Sequence, residues 1–125
     1  MVTKIFLDVN ILMEVIFSRK KSKQCLELIV SNLGNIYISS LSVHICNYFL
    51  KKEGKSVKEN SVFFTQFDIH DLNSSLLDET YNIYTKDFED AIQVASFLKS
   101  DCVEFYTLDK QMKQNYGQIA KIVVL

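Results

Sequence analysis

The sequence predicts an α/β protein, built as a three-layer α/β/α sandwich around a central parallel sheet of about five strands. Two observations lead to this prediction. Five short segments rich in β-branched and aromatic residues are largely apolar on both faces, and longer segments with helical spacing separate them. Strands that are apolar throughout belong to sheets covered on both faces, because right-handed crossovers place helices there.

The elements alternate along the whole chain. In the last three predicted helices apolar residues recur three or four positions apart, as Phe88, Ala91 and Ala95 do. The predicted strands are residues 4–7, 35–39, 65–69, 103–107 and 121–125. The predicted helices are residues 11–17, 22–32, 41–52, 57–64, 72–84 and 88–99.

Length and charge narrow the possible functions. The 125 residues suit one domain, residues 1–125, and the absence of proline and of low-complexity segments gives no sign of a linker. Lysine and arginine number 14 against 15 acids, so no overall positive field attracts nucleic acid and any polyanion must meet a local patch.

The cysteines and the hydropathy pattern predict a soluble cytoplasmic protein that does not enter a membrane. Cys25, Cys46 and Cys102 are odd in number and far apart, as is typical of buried free thiols in a reducing compartment. No stretch of about 18 uninterrupted apolar residues is present to span a bilayer.

The motif F-L-D-V-N places a carboxylate and an amide at the end of the first predicted strand. Ligands of open parallel sheets bind beyond the carboxyl ends of the strands. In extended backbone Asp8 and Asn10 point the same way, into that crevice. The alternative is local: Asn10 caps a helix that starts at Ile11, and Asp8 bonds the same turn.

Further acids follow other elements. Asp109 comes after the fourth strand in Y-T-L-D, with Thr107 sharing its orientation, and D-F-E-D opens the last helix with Asp87 and Asp90 on one face. Each also has a structural interpretation, Asp109 as a loop acid and Asp87 as a helix cap. Glu89 is expected to face water.

Taken together, Asp8, Asp90 and Asp109 are predicted at one edge of the sheet, where mutual repulsion raises their pKa values unless a cation intervenes. Mg²⁺ or Mn²⁺ suits such oxygen ligands, whereas Zn²⁺ favours closely spaced histidine or cysteine. His44 and His70 show no such spacing.

These motifs make the chain similar to the PIN domain family, and in particular to the VapC-like ribonuclease toxins of toxin–antitoxin pairs. The resemblance rests on F-L-D-V-N, I-S-S-L-S, D-F-E-D-A-I-Q and Y-T-L-D in this order. It implies a parallel α/β/α fold, Mg²⁺ or Mn²⁺ held by acids, endonucleolytic cleavage of RNA, and a dimer inhibited by an antitoxin protein.

By this resemblance Asp8, Asp90 and Asp109 are the catalytic, metal-holding acids, and Asn10 and Thr107 orient water or phosphate oxygens. In many members a Glu follows in a pattern like S/T-x-x-E, but Ser42-Val43-His44-Ile45 carries isoleucine there. Three carboxylates then hold a metal more weakly than four. Residues that can support the site are Asp87, Ser42, His44 and Glu14.

Two basic runs can meet a phosphate backbone. The first is favoured because it follows the helix that begins beside Asp8, although a solvated loop is the structural alternative. The favoured run consists of Arg19, Lys20, Lys21 and Lys23, and the second contains Lys51, Lys52 and Lys55.

Three alternatives remain open at this point. The chain can be a catalytically weak or silent PIN-like module that binds RNA or a protein. It can be a haloacid-dehalogenase-like phosphatase with Asp8 as nucleophile, but Asn10 cannot serve as its acid or base. A response-regulator receiver fits less well, because it requires an acidic pair after the first strand.

Overall fold

The computed structural model describes residues 3–125 and contains the predicted parallel sheet. Five strands pair in the order β3-β2-β1-β4-β5, and every pairing is parallel. Central β1 aligns Ile5 with Ile36 of β2 and with Glu104 of β4. The strands are β1 Ile5–Leu7, β2 Ile36–Ser39, β3 Asp68–His70, β4 Glu104–Thr107 and β5 Ile122–Val124.

Seven α-helices and one 3₁₀ helix connect the strands in residues 3–125. None of these helices is both long enough and apolar enough to cross a bilayer. The α-helices are α1 Val9–Ile16, α2 Ser22–Ser31, α3 Ser40–Lys52, α4 Val57–Asn60, α5 Ser74–Ile83, α6 Phe88–Lys99 and α7 Lys110–Tyr116, and the 3₁₀ helix is Ser61–Gln66.

The alternation of side chains along β1 explains the three layers. Ile5 and Leu7 join a buried cluster with α1, α2 and α3 on one face of the sheet. Phe6 joins a second cluster with α6 and α7 on the other face, where its ring stacks on Phe105 at 5.7 Å. Cys25 and Cys46 are buried free thiols of the first cluster, as predicted, whereas the free thiol of Cys102 is only partly buried. Successive residues of a strand point to opposite faces, so an apolar run fills both cores.

The order of the strands creates a crevice between β1 and β4. The chain runs outward from β1 through β2 to β3 and then returns to the other side of β1 to form β4 and β5. Strand order therefore reverses between β1 and β4, and ligands of open α/β sheets bind outside the carboxyl ends of the strands at such a point. Asp8 follows one of these strands and Asp109 the other.

Three sequence predictions about elements were wrong. Helix α1 begins at Val9 and not at Ile11, since Asp8 and not Asn10 provides the N-cap. Residues 65 and 66 belong to the 3₁₀ helix, and β3 is an edge strand in which Asp68 and His70 share one face, so it is not apolar on both faces. Helix α7 was missed because only Met112 and Tyr116 of its seven residues are buried, too few to produce a visible period.

Candidate functional site

Asp8 lies at the end of β1 and is only 3% exposed. Its Oδ1 accepts a hydrogen bond from the Val9 backbone N–H at 2.8 Å, which caps α1. Its Oδ2 accepts from the hydroxyl of Thr107 at 2.8 Å and from Nδ2 of Asn10 at 3.2 Å. The same carboxylate thus serves as a helix cap and as a buried group of the crevice.

Asn10 fastens the ends of β1 and β4 together. Its Nδ2 also donates to Oγ1 of Thr107 at 3.0 Å, and its Oδ1 accepts from the Leu108 backbone N–H at 3.1 Å. Asn10 lies in the first turn of α1 and not in extended backbone. Alternation of side chains along a strand is therefore not the reason why its side chain lies beside that of Asp8. Asn10 and Thr107 lie beside Asp8 as predicted, and both donate to its carboxylate.

Asp87 and Asp109 are helix caps. Asp87 accepts from the Asp90 backbone N–H at 2.9 Å at the start of α6, and Asp109 accepts from the Gln111 backbone N–H at 2.9 Å at the start of α7. Asp109 also donates its own backbone N–H to Oγ1 of Thr107 at 3.1 Å. The capping interpretation therefore holds for Asp87, whereas Asp109, interpreted from the sequence as a loop acid, caps α7 and remains attached to the Asp8 network.

Electrostatics links the acids of separate elements into one group. Burial raises the pKa of Asp8 from 3.8 to about 6; hydrogen bonds from Thr107 and Val9 oppose this rise, and the charges of Asp109 and Glu89 add to it. Burial, together with repulsion from Asp87, Asp8, Asp109 and Glu89, raises the pKa of Asp90 from 3.8 to about 7. We call Asp8, Asp90 and Asp109, with Asp87 and Glu89 beside them, the acidic site.

The side chains of the acidic site have the chemistry that suits a hard divalent cation. All of them are carboxylates, and a bound cation would relieve the repulsion between them. The geometry is looser than that of a formed site. Within residues 3–125 no three histidine, cysteine, aspartate or glutamate side chains are grouped closely enough to hold a metal ion. The assignment of the acids as metal ligands therefore stays a prediction.

Ser42 is buried in the interior of the protein. It is fully buried with Ser39 and Gln93, which sequence reasoning missed. Nε2 of Gln93 donates to Oγ of Ser42 at 2.9 Å, Oγ of Ser39 donates to Oε1 of Gln93 at 3.1 Å, and Ser39 caps α3. This network joins α3 to α6 one turn after Asp90. The signal for Gln93 was an amide inside the apolar stretch A-I-Q-V-A.

We expect Gln93→Leu to destabilise the fold by about 1–3 kcal/mol, because the two buried serine hydroxyls lose their hydrogen bonds to the glutamine amide. The free energy of unfolding is measured by urea titration. The matched control is Gln118→Leu, which changes an exposed glutamine in the same way and should alter stability by less than about 0.5 kcal/mol. Equal stability of the two variants would contradict a structural role for this network.

The position without a carboxylate faces a groove. Ile45 is partly buried on α3 and borders the groove together with Glu89 from α6. Glu89 is exposed, as predicted, but its charge still raises the pKa values of Asp8 and Asp90. A carboxylate from α6 therefore stands near the place where the sequence pattern lacks one on α3.

Lys21 of the favoured basic run lies near the carboxyl ends of the strands, on the side of the sheet that carries the acidic site. Nζ of Lys21 donates to the backbone carbonyl of Leu125 at 3.0 Å, and the Leu125 N–H donates to the carbonyl of Thr107 at 2.9 Å. Arg19 and Lys55 both lie over the ring of Phe17, at 5.2 and 5.3 Å from its centre, so the two runs meet. We call the joined runs the basic patch; it consists of Arg19, Lys20, Lys21, Lys23, Lys51, Lys52 and Lys55.

The fold and the positions of the acids define a class of protein: a three-layer α/β domain with a carboxylate after each of the two strands between which strand order reverses. A sequence model of the PIN domain matches residues 5–118. The chain therefore belongs to the PIN domain family. Membership of the PIN domain family excludes the phosphatase and response-regulator alternatives. The phosphatase would need an acid or base at position 10, whereas the amide of Asn10 donates a hydrogen bond to Asp8.

Solved structures share this fold over nearly the whole chain. A toxin–antitoxin complex from Klebsiella pneumoniae is 20% identical with a TM-score of 0.77, covering 98% of this chain and 97% of that one. VapC20 of Mycobacterium tuberculosis, described as a Sarcin-Ricin loop cleaving toxin, is 13% identical with a TM-score of 0.73, covering 89% and 94%. VapBC2 from Rickettsia felis, bound to a promoter DNA fragment, is 17% identical with a TM-score of 0.72, covering 98% and 99%. No curated protein matches the sequence significantly. The fold is thus VapC-like.

Proposed function

We propose that this protein is a metal-dependent endoribonuclease and the toxin of a type II toxin–antitoxin pair. The observation that carries the proposal is that Asp8 and Asp109, which follow β1 and β4, both act through their charges on Asp90 in the first turn of α6. Membership of the PIN domain family and the toxin fold of the similar structures support it.

Asp8, Asp90 and Asp109 would hold Mg²⁺ or Mn²⁺. Bound there, the cation would supply an activated water and neutralise charge on the scissile phosphate. Hydrogen bonds from Thr107 and Asn10 hold the Asp8 carboxylate in position. The caps made by Asp87 and Asp109 hold the first turns of α6 and α7.

The basic patch would bind the RNA backbone, since Lys21 lies at the sheet edge that carries the acidic site. The structure from Klebsiella pneumoniae is described as a toxin–antitoxin complex, and the one from Rickettsia felis as VapBC2. We therefore propose an antitoxin protein as the partner. Homodimer formation and a cytoplasmic location stay predictions from the sequence.

The proposal is tested with the purified chain and total bacterial RNA, with new RNA ends identified by sequencing. We expect discrete cleavage in Mg²⁺ or Mn²⁺, none with EDTA, and recovery when the cation is restored. Single-stranded DNA of matched sequence serves as the control substrate and should remain intact. Equal RNA cleavage with and without EDTA would contradict metal dependence, and no cleavage under any condition would contradict the enzyme.

A second candidate is a catalytically silent PIN domain that binds RNA or a protein. Ile45 in place of a carboxylate favours it, as does the loose grouping of the acids within the described part of the chain. Calorimetric titration of wild type and Asp8→Asn with Mn²⁺ separates the two candidates. The nuclease requires binding that Asp8→Asn weakens, whereas the silent module requires no difference between the two proteins.

A further inference from the structure

A groove of about 320 Å³ lies between α3 and the start of α6. One wall is formed by α3 side chains and the other by Glu89, the residue that precedes Asp90 of the acidic site. The groove and the acids therefore share the first turn of α6. Its lining residues are His44, Ile45, Tyr48, Phe49 and Glu89.

The α3 wall offers a ring surface. Tyr48 is 57% exposed, although a large aromatic side chain gains free energy from burial. Its ring is supported by Phe49, whose ring centre lies 5.1 Å away at an angle of 87°. Exposed aromatic rings held in this way are the surfaces on which bases of single-stranded nucleic acid stack.

The α6 wall offers a hydrogen-bond acceptor. The Glu89 carboxylate is exposed at the groove, and a carboxylate accepts hydrogen bonds from the amino and imino groups of base edges. A ring surface on one wall and an acceptor on the other match the two features of an unstacked base, its face and its edge.

Charged groups beside the two walls of the groove indicate the occupant. Glu89 of the acidic site forms the α6 wall, and Lys51 and Lys52 follow Tyr48 by one turn of α3, with Nζ of Lys52 5.9 Å from the Phe49 ring centre. Cations along one side suit the phosphates that flank a base. An RNA strand with one phosphate at the acidic site and the next ones at these lysines would carry a base past Tyr48.

We propose that the groove is a base-binding subsite that receives one base next to the scissile phosphate, stacked on Tyr48 and hydrogen-bonded at its edge by Glu89. The inference rests on the proposed ribonuclease function and adds a residue basis for sequence preference. Bases that present N–H donors at the edge facing Glu89 are favoured at this position.

The first test uses a pool of short single-stranded RNA oligonucleotides of randomised sequence. We expect Tyr48→Ala to lower kcat/KM about tenfold or more, mainly through KM, because loss of base stacking weakens binding. Tyr48→Phe keeps the ring and should stay within about twofold of wild type. Tyr81→Ala removes an exposed tyrosine of α5 outside the groove and is the matched control.

The second test sequences the ends that each protein leaves. Glu89→Gln offers an amide with a donor in place of a carboxylate, so we expect the base frequencies at one position beside the cut to change while those elsewhere stay as in wild type. A role of Glu89 in the acidic site alone would lower kcat and leave the base frequencies unchanged. That result would overturn the subsite.

The outcomes separate this inference from the function on which it rests. If wild type cleaves and Tyr48→Ala behaves like Tyr81→Ala, the subsite is wrong while the ribonuclease stands, and a protein segment becomes the better occupant. If wild type neither cleaves nor binds the pool, the proposed function fails and the subsite fails with it.

Discussion

Asp8→Asn or Asp90→Asn is expected to lower the rate of RNA cleavage at least about 100-fold. Each substitution keeps the shape of the side chain but removes a negative charge from the acidic site, which would hold the activating cation. The measurement is single-turnover cleavage of the total-RNA fragments identified with wild type, at saturating Mn²⁺. A loss of less than about threefold in both variants would contradict the assignment of these residues.

The control for this experiment is Asp78→Asn, which removes an exposed carboxylate of α5 outside the acidic site and should cleave like wild type. Binding of RNA by Asp8→Asn, measured by fluorescence anisotropy, should equal or exceed that of wild type because a negative charge is lost. Intact binding with lost cleavage distinguishes a catalytic defect from a misfolded variant.

The second large effect is a loss of stability as pH rises. Asp8 has a pKa of about 6 in the folded protein against 3.8 as its ordinary value. The folded state therefore binds more protons, and the associated stability is fully present below pH 3.8 and lost as pH rises through about 6. A difference of about 2 pH units at about 1.4 kcal/mol each gives roughly 3 kcal/mol for Asp8. Asp90, with a pKa of about 7, extends the window upward.

Urea unfolding between pH 4 and pH 8 measures this effect without added divalent cation. Asp8→Asn should show a flatter profile than wild type, because the amide does not titrate, and Asp78→Asn should follow wild type. Adding Mn²⁺ at pH 8 should restore stability in wild type and less in Asp8→Asn, by linkage between binding and folding. Parallel profiles for Asp8→Asn and wild type would show that burial of Asp8 does not raise its pKa.

Much of the fold followed from local pattern. The apolar segments that end at Leu7, Ser39 and Thr107 read as strands because each has to fill two cores, and the structure places a strand in each. Helix α7 was missed because it buries only Met112 and Tyr116. Residues 61–66, predicted partly as helix and partly as strand, form a 3₁₀ helix that buries only Phe64. Their conformation depends on the neighbours against which they pack.

The site was only partly visible in the sequence. Asp8, Asp90 and Asp109 were identifiable as polar groups at the ends of apolar elements, and the cap made by Asp87 followed from spacing. The cap made by Asp109 was not predicted, because helix α7 was missed. The network of Gln93 was not predicted either, since Gln93 lies 51 positions from Ser42. Hydrogen bonds of such separation leave no periodic signal.

The sequence by itself determined which acids are present, which strands they follow, and that position 45 lacks a carboxylate, because these are properties of residue type and short-range spacing. Only the tertiary structure decided that Asp8 is a cap and a buried site group at once, that Lys21 returns to the edge of Thr107, and that Glu89 stands in the groove beside Ile45. The physical reason is that burial and repulsion between charges depend on distance in space, which the chain fixes only when β4 pairs with β1.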